Sequence, residues 1–244
     1  MSDAITGERL TQLRSDLAHV STATITTALF KRGLNKQFIQ DVHPLGAKGR
    51  TMVGPAFTLR YIPAREDLNG LEVFRDRAHP QRKAIEDCPE GHVMVIDSRK
   101  DPRAASAGSI LVSRLMVRGA AGIVTDGGFR DAPVIADLDI HAYHNRPSAP
   151  TNLTMHQAID IDVPIGCGDA PVFPGDLVVG DDEGVVVIPL HLVDEVVAEA
   201  VEMTAFEDFV TEEVLAGRSI LGLYPATDEQ TLVDFARWRE KHGR

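Results

Sequence analysis

Cysteine is nearly missing from this chain. Only Cys88 and Cys167 occur among 244 residues, far apart and without a CxxC spacing. That excludes a disulfide framework or a zinc knuckle and leaves two buried thiols as the expectation. Positive charge is short as well. With 25 basic against 36 acidic residues the formal charge is −11, so a nucleic-acid partner would need a strong basic patch to overcome the overall repulsion. The densest basic stretch, "FRDRAHPQRK", reads as a solvated helix face, and no nucleic acid is expected. Long apolar runs are lacking too, none approaching the roughly 18 residues of a membrane span. The opening "MSDAITGERL" is polar where a signal peptide needs apolar residues. A soluble, cytoplasmic protein without membrane contact is the expectation. No GxSxG, HExxH, Walker or GxGxxG motif occurs, which removes the commonest hydrolase, metalloprotease and nucleotide-binding signatures.

What is present is a globular pattern, with 43% hydrophobic residues, enough for a sizeable core. "TGERLTQLRSDLAHV" spaces Leu10, Leu13, Leu17 and Val20 by three and four residues, predicting a helix. "STATITTALFKRG" predicts a second, with hydroxyl caps at its start and Gly33 at its end. "GRTMVGPAFTLRYIP" reads as an extended segment interrupted at Gly54-Pro55. "LEVFRDRAHPQRKAIEDC" reads as a helix that Pro80 kinks or divides. "GHVMVID" is a short buried strand. "GSILVSRLMVRG" is a helix with Ile110, Leu111, Leu115 and Met116 on one side and a glycine stop at Gly119, and "AAGIVTDGG" is another strand. Strand, helix and strand in so short a space form a parallel βαβ unit, whose carboxyl strand ends are where ligands sit in open α/β sheets. From Pro133 to about Pro189 short runs between Gly, Pro and Asp predict a mainly β region, with "GDDEG" as a turn. The remainder is helical. Residues 1–200 are thus expected as one α/β domain, and 201–244 as a helical arm whose Phe206, Phe209, Phe235 and Trp238 pack on the same domain or on a neighbouring subunit.

The chemistry concentrates in "VTDGGFRDAPVI". A strand fit for burial ends at Asp126, passes two glycines, and delivers Arg130 and Asp131 side by side. The glycines permit close approach of a small ligand to the main chain. Arg130 can grip a carboxylate or enolate with paired hydrogen bonds. Asp131 offers hard oxygens to magnesium or manganese, and magnesium commonly takes only one or two protein carboxylates. The alternative is a plain surface ion pair in a glycine turn. Gly108, Ser109, Ile110 and Leu111 open the helix of the same unit, where free amides bind anions; the alternative there is simple capping by Ser106 or Ser109. His141 and His144 stand three apart in a stretch that looks extended, which places them on opposite faces and argues against a paired metal site.

These residues carry a resemblance. "AGSILVSRLMVRGAAGIVTDGGFRD" followed by "PGDLVVGDDEGVVVIP" resembles the RraA-like family, which includes regulators of ribonuclease activity and class II 4-hydroxy-4-methyl-2-oxoglutarate aldolases. The likeness runs from "STATITTAL" to about Glu199. It implies a swivelling β/β/α fold, a homotrimer or dimer of trimers with sites near subunit contacts, and a divalent metal as cofactor. Residue by residue, it implies Asp131 as metal ligand, Arg130 as the residue that binds substrate and steadies an enolate, and the Gly108–Leu111 amides as the cradle of a pyruvyl carboxylate. Aldolase members often have an acidic residue where this chain has Ser109, and a serine cannot buffer a proton near neutral pH. The function implied is a metal-dependent carbon–carbon lyase acting on a small 2-oxo acid, aldolase-like or decarboxylating an oxaloacetate-like substrate. A non-catalytic, protein-binding regulator of ribonuclease activity and a sugar-acid lyase or dehydratase stand as alternatives.

Overall fold

A computed structural model describes residues 4–46 and 49–244. Helices α1 (Gly7–Asp16) and α2 (Thr22–Phe30) come first. The Ser21 hydroxyl accepts the Thr24 amide at 3.1 Å, which satisfies one of the free donors at the α2 start. Gly33 ends that region in the left-handed conformation that glycine alone adopts without cost. Short strands β1 (Phe38–Ile39) and β2 (His43–Pro44) precede a long one, β3 (Met52–Pro63). This strand is continuous, where the sequence predicts an interruption at Gly54-Pro55. Pro55 lies where β3 hands over from one partner strand to another, and the next amide, Ala56, bonds to the Asp176 carbonyl at 2.8 Å. A residue without an N–H is tolerated at such a junction.

After a 3-10 turn (Leu71–Arg75) the chain forms α3 (Pro80–Asp87), so proline begins this helix rather than kinking one. Then follow β4 (Val93–Asp97), β5 (Ala105–Ala107), α4 (Ser109–Val117), β6 (Gly122–Thr125), β7 (Gly128–Phe129), α5 (Ala132–Ala136), β8 (His141–His144) and β9 (Arg146–Pro147). A 3-10 turn (Asn152–Thr154) leads into β10 (His156–Ile161), β11 (Ile165–Cys167), β12 (Ala170–Val172), β13 (Leu177–Gly180) and β14 (Val185–Ile188). The long helix α6 (Val193–Leu215) and α7 (Glu229–His242) close the chain.

The main sheet runs β1-β14-β13-β3-β4-β6-β8-β2, with β10 paired to β3. Within it β3, β4, β6 and β8 are parallel neighbours. Their crossovers all proceed in one direction, which puts α3, α4 and α5 on one face. Alternation along each strand assigns the side chains. Met94 and Ile96 of β4 join Ile85, Val112, Leu115 and Ile135 in one core, while Val93 and Val95 face Val124, Val178 and Val187 in another. Leu177 and Val179 pack against α1, α2 and the start of α6. Ile110 does not join the apolar face of α4. It is exposed, whereas Val112 and Leu115 carry the packing, because the start of α4 stands at the open end of the sheet.

The α/β fold with added carboxyl-terminal helices is therefore the observed architecture. Helix α6 runs unbroken through residue 200. Phe209, Val210 and Leu223 form a small core with Phe206, Phe235 and Trp238, so the arm's aromatic residues pack on one another. Both cysteines are buried thiols, and no helix among the described residues is long and apolar enough to cross a membrane.

Candidate active site

Three of the parallel strands stop and restart. Beyond Asp97, Thr125 and His144 the backbone breaks its main-sheet ladder, then forms a second, three-stranded parallel sheet from β5, β7 and β9. Its register sets Ala107 beside Phe129, and the Arg130 amide bonds to the Ala107 carbonyl at 3.1 Å. The residues that leave these two strands, Gly108-Ser109 and Arg130-Asp131, consequently emerge side by side. A buried hydroxyl network holds the break. Ser98 and Ser106 Oγ atoms lie 2.6 Å apart, Ser106 Oγ lies 2.6 Å from Thr125 Oγ1, and Thr125 Oγ1 accepts the Gly127 amide at 3.0 Å.

Gly108 has an ordinary extended backbone, φ −122°, so conformation does not demand glycine there. Space does. A Cβ at this position would lie 2.7 Å from Arg130 Cγ and 3.2 Å from Asp131 Oδ2. Asp131 adopts the left-handed region at φ 58°, ψ 32°, which aspartate tolerates better than most residues. This turns its carboxylate back toward α4, where Oδ2 accepts the Ser109 hydroxyl at 3.1 Å and, more weakly, the Ser109 amide at 3.4 Å. Neither Ser106 nor Ser109 caps α4, since Gly108 is the capping residue and Ser109 is committed to Asp131.

Arg130 Nε stands 3.8 Å from the same Oδ2, with both side chains about half exposed. That is beyond hydrogen-bond length, and the guanidinium donates no hydrogen bond to any described residue, so it is loosely paired and available. Of the four amides from Gly108 to Leu111, that of Ser109 faces Asp131 and that of Leu111 bonds to the Gly108 carbonyl at 3.0 Å. The Gly108 and Ile110 amides keep no acceptor among the described residues, so they are the free donors at the helix start.

Of these residues Gly108, Ile110, Leu111, Arg130 and Asp131, but not Ser109, line one cleft of about 350 Å³, together with Phe74, Gln81, Arg82 and Asn152, a size suited to a small acid. Gln81 pegs the wall, donating to Tyr61 Oη at 3.0 Å and to the Ser106 carbonyl at 2.8 Å. Arg82 and Asn152 carry no signal in the sequence, where one belongs to a basic stretch that reads as a solvated face and the other to a polar loop. A roomier cleft of about 580 Å³ between α2 and β1 has, among the described residues, Glu183 as its single charged lining residue and no cation to hold an acid.

The other marked residues lie elsewhere. Asp126, buried at the end of β6, accepts the amides of Ser98 (2.7 Å), Lys100 (3.0 Å) and Gly168 (3.1 Å). Burial, reinforced by nearby Asp97, pushes its carboxyl up to about 6 despite those donors. It lines a separate cleft with Arg99, Lys100 and Asp169, and ties loops together rather than facing Arg130. His141 and His144 are both buried and three apart on strand β8, hence on opposite faces. His144 stacks on Phe129 at 5.3 Å. Among the described residues no group of three or more His, Cys, Asp or Glu is arranged to hold a metal. Asp131 alone fits a cation that keeps most of its waters, since its Oδ1 has no hydrogen-bond partner among the described residues. That donor set suits magnesium or manganese and not zinc.

Comparison with known proteins gives these features a context. The family model described as RraA-like (Aldolase/RraA) matches residues 22–187. A protein of Halalkalibacterium halodurans, provisionally named a 4-hydroxy-4-methyl-2-oxoglutarate aldolase, is 30% identical over 216 residues, covering 87% of this chain and 93% of its own. A Thermus thermophilus protein named 4-hydroxy-4-methyl-2-oxoglutarate aldolase is 28% identical over 119 residues, covering 49% of this chain and 71% of its own. Among solved structures, Streptomyces coelicolor RraAS2, described as an unusual member of the RNase ES inhibitor RraA protein family, superposes with a TM-score of 0.71 at 30% identity. The match covers 81% of this chain and 94% of that one.

Proposed function

The chain belongs to the RraA-like family, and from that membership we propose that it is a divalent-metal-dependent lyase. It would cleave a carbon–carbon bond of a small 2-oxo acid, in the manner of a 4-hydroxy-4-methyl-2-oxoglutarate aldolase or an oxaloacetate decarboxylase, through a pyruvate enolate. The observation that carries this reading is the meeting of Arg130, Asp131 and the α4 start in one cleft.

The substrate carboxylate takes the free Ile110 amide at the positive end of α4. The Arg130 guanidinium, with no hydrogen-bond partner among the described residues, places fixed positive charge where the enolate oxygen develops, which lowers the barrier selectively. Asp131 would hold the metal through Oδ1, its Oδ2 oriented by the Ser109 hydroxyl. When bound there, a divalent cation supplies polarisation of the 2-oxo group. Ser109 orients a carboxylate and does not buffer a proton, so proton transfer falls to water or to a carboxylate from an adjacent subunit. Assembly as a homotrimer or dimer of trimers belongs to the same reading, and Leu71 and Ile110, exposed apolar side chains on the cleft wall, suit a covering neighbour.

The test is pyruvate release from a panel of 2-oxo acids with magnesium or manganese, against a chelator control. Asp131→Ala is expected to remove the metal-stimulated activity, a loss of about 10²–10³ in rate; near-normal stimulated turnover would refute the metal assignment. A second reading, a regulator that engages basic segments of a ribonuclease, draws on the description of the Streptomyces relative and on the charge of −11. Regulation of that kind would survive substitution of both Arg130 and Asp131.

A further inference from the structure

We propose that Arg82 and Asn152 form a second recognition subsite in this cleft, which receives a carboxylate carried by the departing half of the substrate. The inference rests on the lyase reading above and assigns the residues that select the substrate's far end.

Asn152 is 4% exposed. Its Oδ1 accepts the Thr151 hydroxyl at 3.2 Å, but its Nδ2 is buried with no acceptor among the described residues. Buried amide donors almost always have a partner, so an orphan lining a cleft marks the place of a missing acceptor. Arg82 stands in the first turn of α3 with its guanidinium over the Phe74 ring at 4.3 Å. It makes no ion pair or hydrogen bond with a described residue. An arginine fork and an amide N–H₂ are donors only, and a carboxylate is an acceptor only. The two donors come from α3 and from the turn before β10, whereas Arg130 and Asp131 lie between β7 and α5, and Ile110 opens α4. Both sets line the one cleft, so a ligand with two acidic groups can engage each of them.

Charge points the same way. Among the described residues two guanidinium groups line the cleft against the single carboxylate of Asp131, a local positive excess on a chain whose net charge is −11. Such a cleft favours a dianion over a monoanion. Gln81, the residue before Arg82, is tied to Tyr61 and Ser106, so the start of α3 is held against β5 before any ligand arrives.

The experiment compares 2-oxoglutarate with 2-oxopentanoate, which share a five-carbon chain and differ by the distal carboxylate. Their binding to the full chain is measured by calorimetry with magnesium present. Wild-type protein is expected to prefer 2-oxoglutarate by about 10- to 100-fold, the range of a charge-assisted hydrogen-bond pair. Arg82→Ala should erase most of that preference while leaving 2-oxopentanoate affinity within about twofold. Arg82→Lys should restore part of it, because the charge returns without the fork. Asn152→Ala should lower the preference, and Asn152→Asp should reverse it; thermal unfolding of each variant checks that it folds. Equal affinities in the wild type, no binding of the dicarboxylate, or full preference in Arg82→Ala would overturn the subsite. Pyruvate release reports on the lyase reading separately. Discrimination without cleavage of any 2-oxo acid sinks that reading and keeps the subsite, whereas cleavage indifferent to Arg82 does the opposite.

Discussion

Gly108→Ala should yield a stable protein with a crippled site. The added methyl meets Arg130 Cγ at 2.7 Å and Cδ at 3.1 Å, and relieving that contact to an ordinary 3.4 Å requires the arginine stem to move by about 0.7 Å. The backbone has no reason to resist alanine, since φ is −122° and ψ 175°. The Arg130 side chain, 51% exposed, can swing outward without burying anything. Loss of backbone freedom in the unfolded chain contributes about 0.4–1 kcal/mol in the variant's favour, worth roughly 1–4 °C in Tm for a chain of this length, and offsets the cost of turning the arginine stem. Catalysis fares differently. Misplacing a charge by that distance costs about 10² in rate, or about 2.7 kcal/mol of transition-state stabilisation. The assay is magnesium-stimulated pyruvate release alongside a thermal melt. Wild-type turnover would refute the claim that Gly108 exists to let Arg130 lie against it. A fall in Tm alongside the lost activity would show that the backbone had moved, and would refute the steric argument in another way.

Gly127→Ala provides the contrast. Its methyl would lie 2.6 Å from both Ser106 Oγ and Ser98 Cβ, inside the hydroxyl network. With nowhere to go, it should cost about 1–3 kcal/mol, seen as a lower denaturation midpoint at unchanged m-value; an unaltered midpoint would contradict the packing described. His144 predicts a pH dependence. Burial, with a smaller contribution from nearby His43, holds the folded imidazole down to about 4 from an ordinary 6.5. Between those values the unfolded state binds the proton and the folded state does not, so stability is lost as pH falls from 6.5 toward 4. His144→Phe keeps the stack on Phe129 and removes the proton site. Its stability difference from wild type, followed by denaturant titration, should change by about 2–3 kcal/mol across that window in favour of the variant, and a flat difference would show that His144 is solvated.

Much of the scaffold was legible in the sequence because its causes are local. Leu10 and Leu13 share a helix face, Ser21 caps the next helix, Gly33 and Gly119 stop theirs, and valines and isoleucines alternate through β4 and β6. Arg130 and Asp131 stood out for a similar reason, two opposite charges placed straight after paired glycines. Pro55 misled because a proline inside a strand normally argues for a break. What rescued it was a change of partner strand at that point, which no local pattern encodes. Ile110 was placed on the buried face of α4 by its spacing, yet the helix begins at the open end of the sheet, where that spacing no longer points into a core.

Arg82 and Asn152 were invisible for a different reason. In "FRDRAHPQRK" one arginine looks like another, and what distinguishes Arg82 is that it lines the cleft with its guanidinium over Phe74 once the chain has folded. Strands β5, β7 and β9, of two or three residues each, have no signature of their own, because so short a strand is stable only through pairing with distant neighbours.

By itself the sequence determined which residue types could hold an acid and a cation, and which stretches must be buried, since side-chain chemistry and periodicity are properties of neighbours along the chain. Only the tertiary structure decided that Ser109 would face Asp131 across 22 residues of sequence, that Gly108 would cradle Arg130, and that Asn152 would be left with a donor unspent. Those are matters of strand register and of which polar groups find no partner, and they come into existence only when separate segments exclude water together.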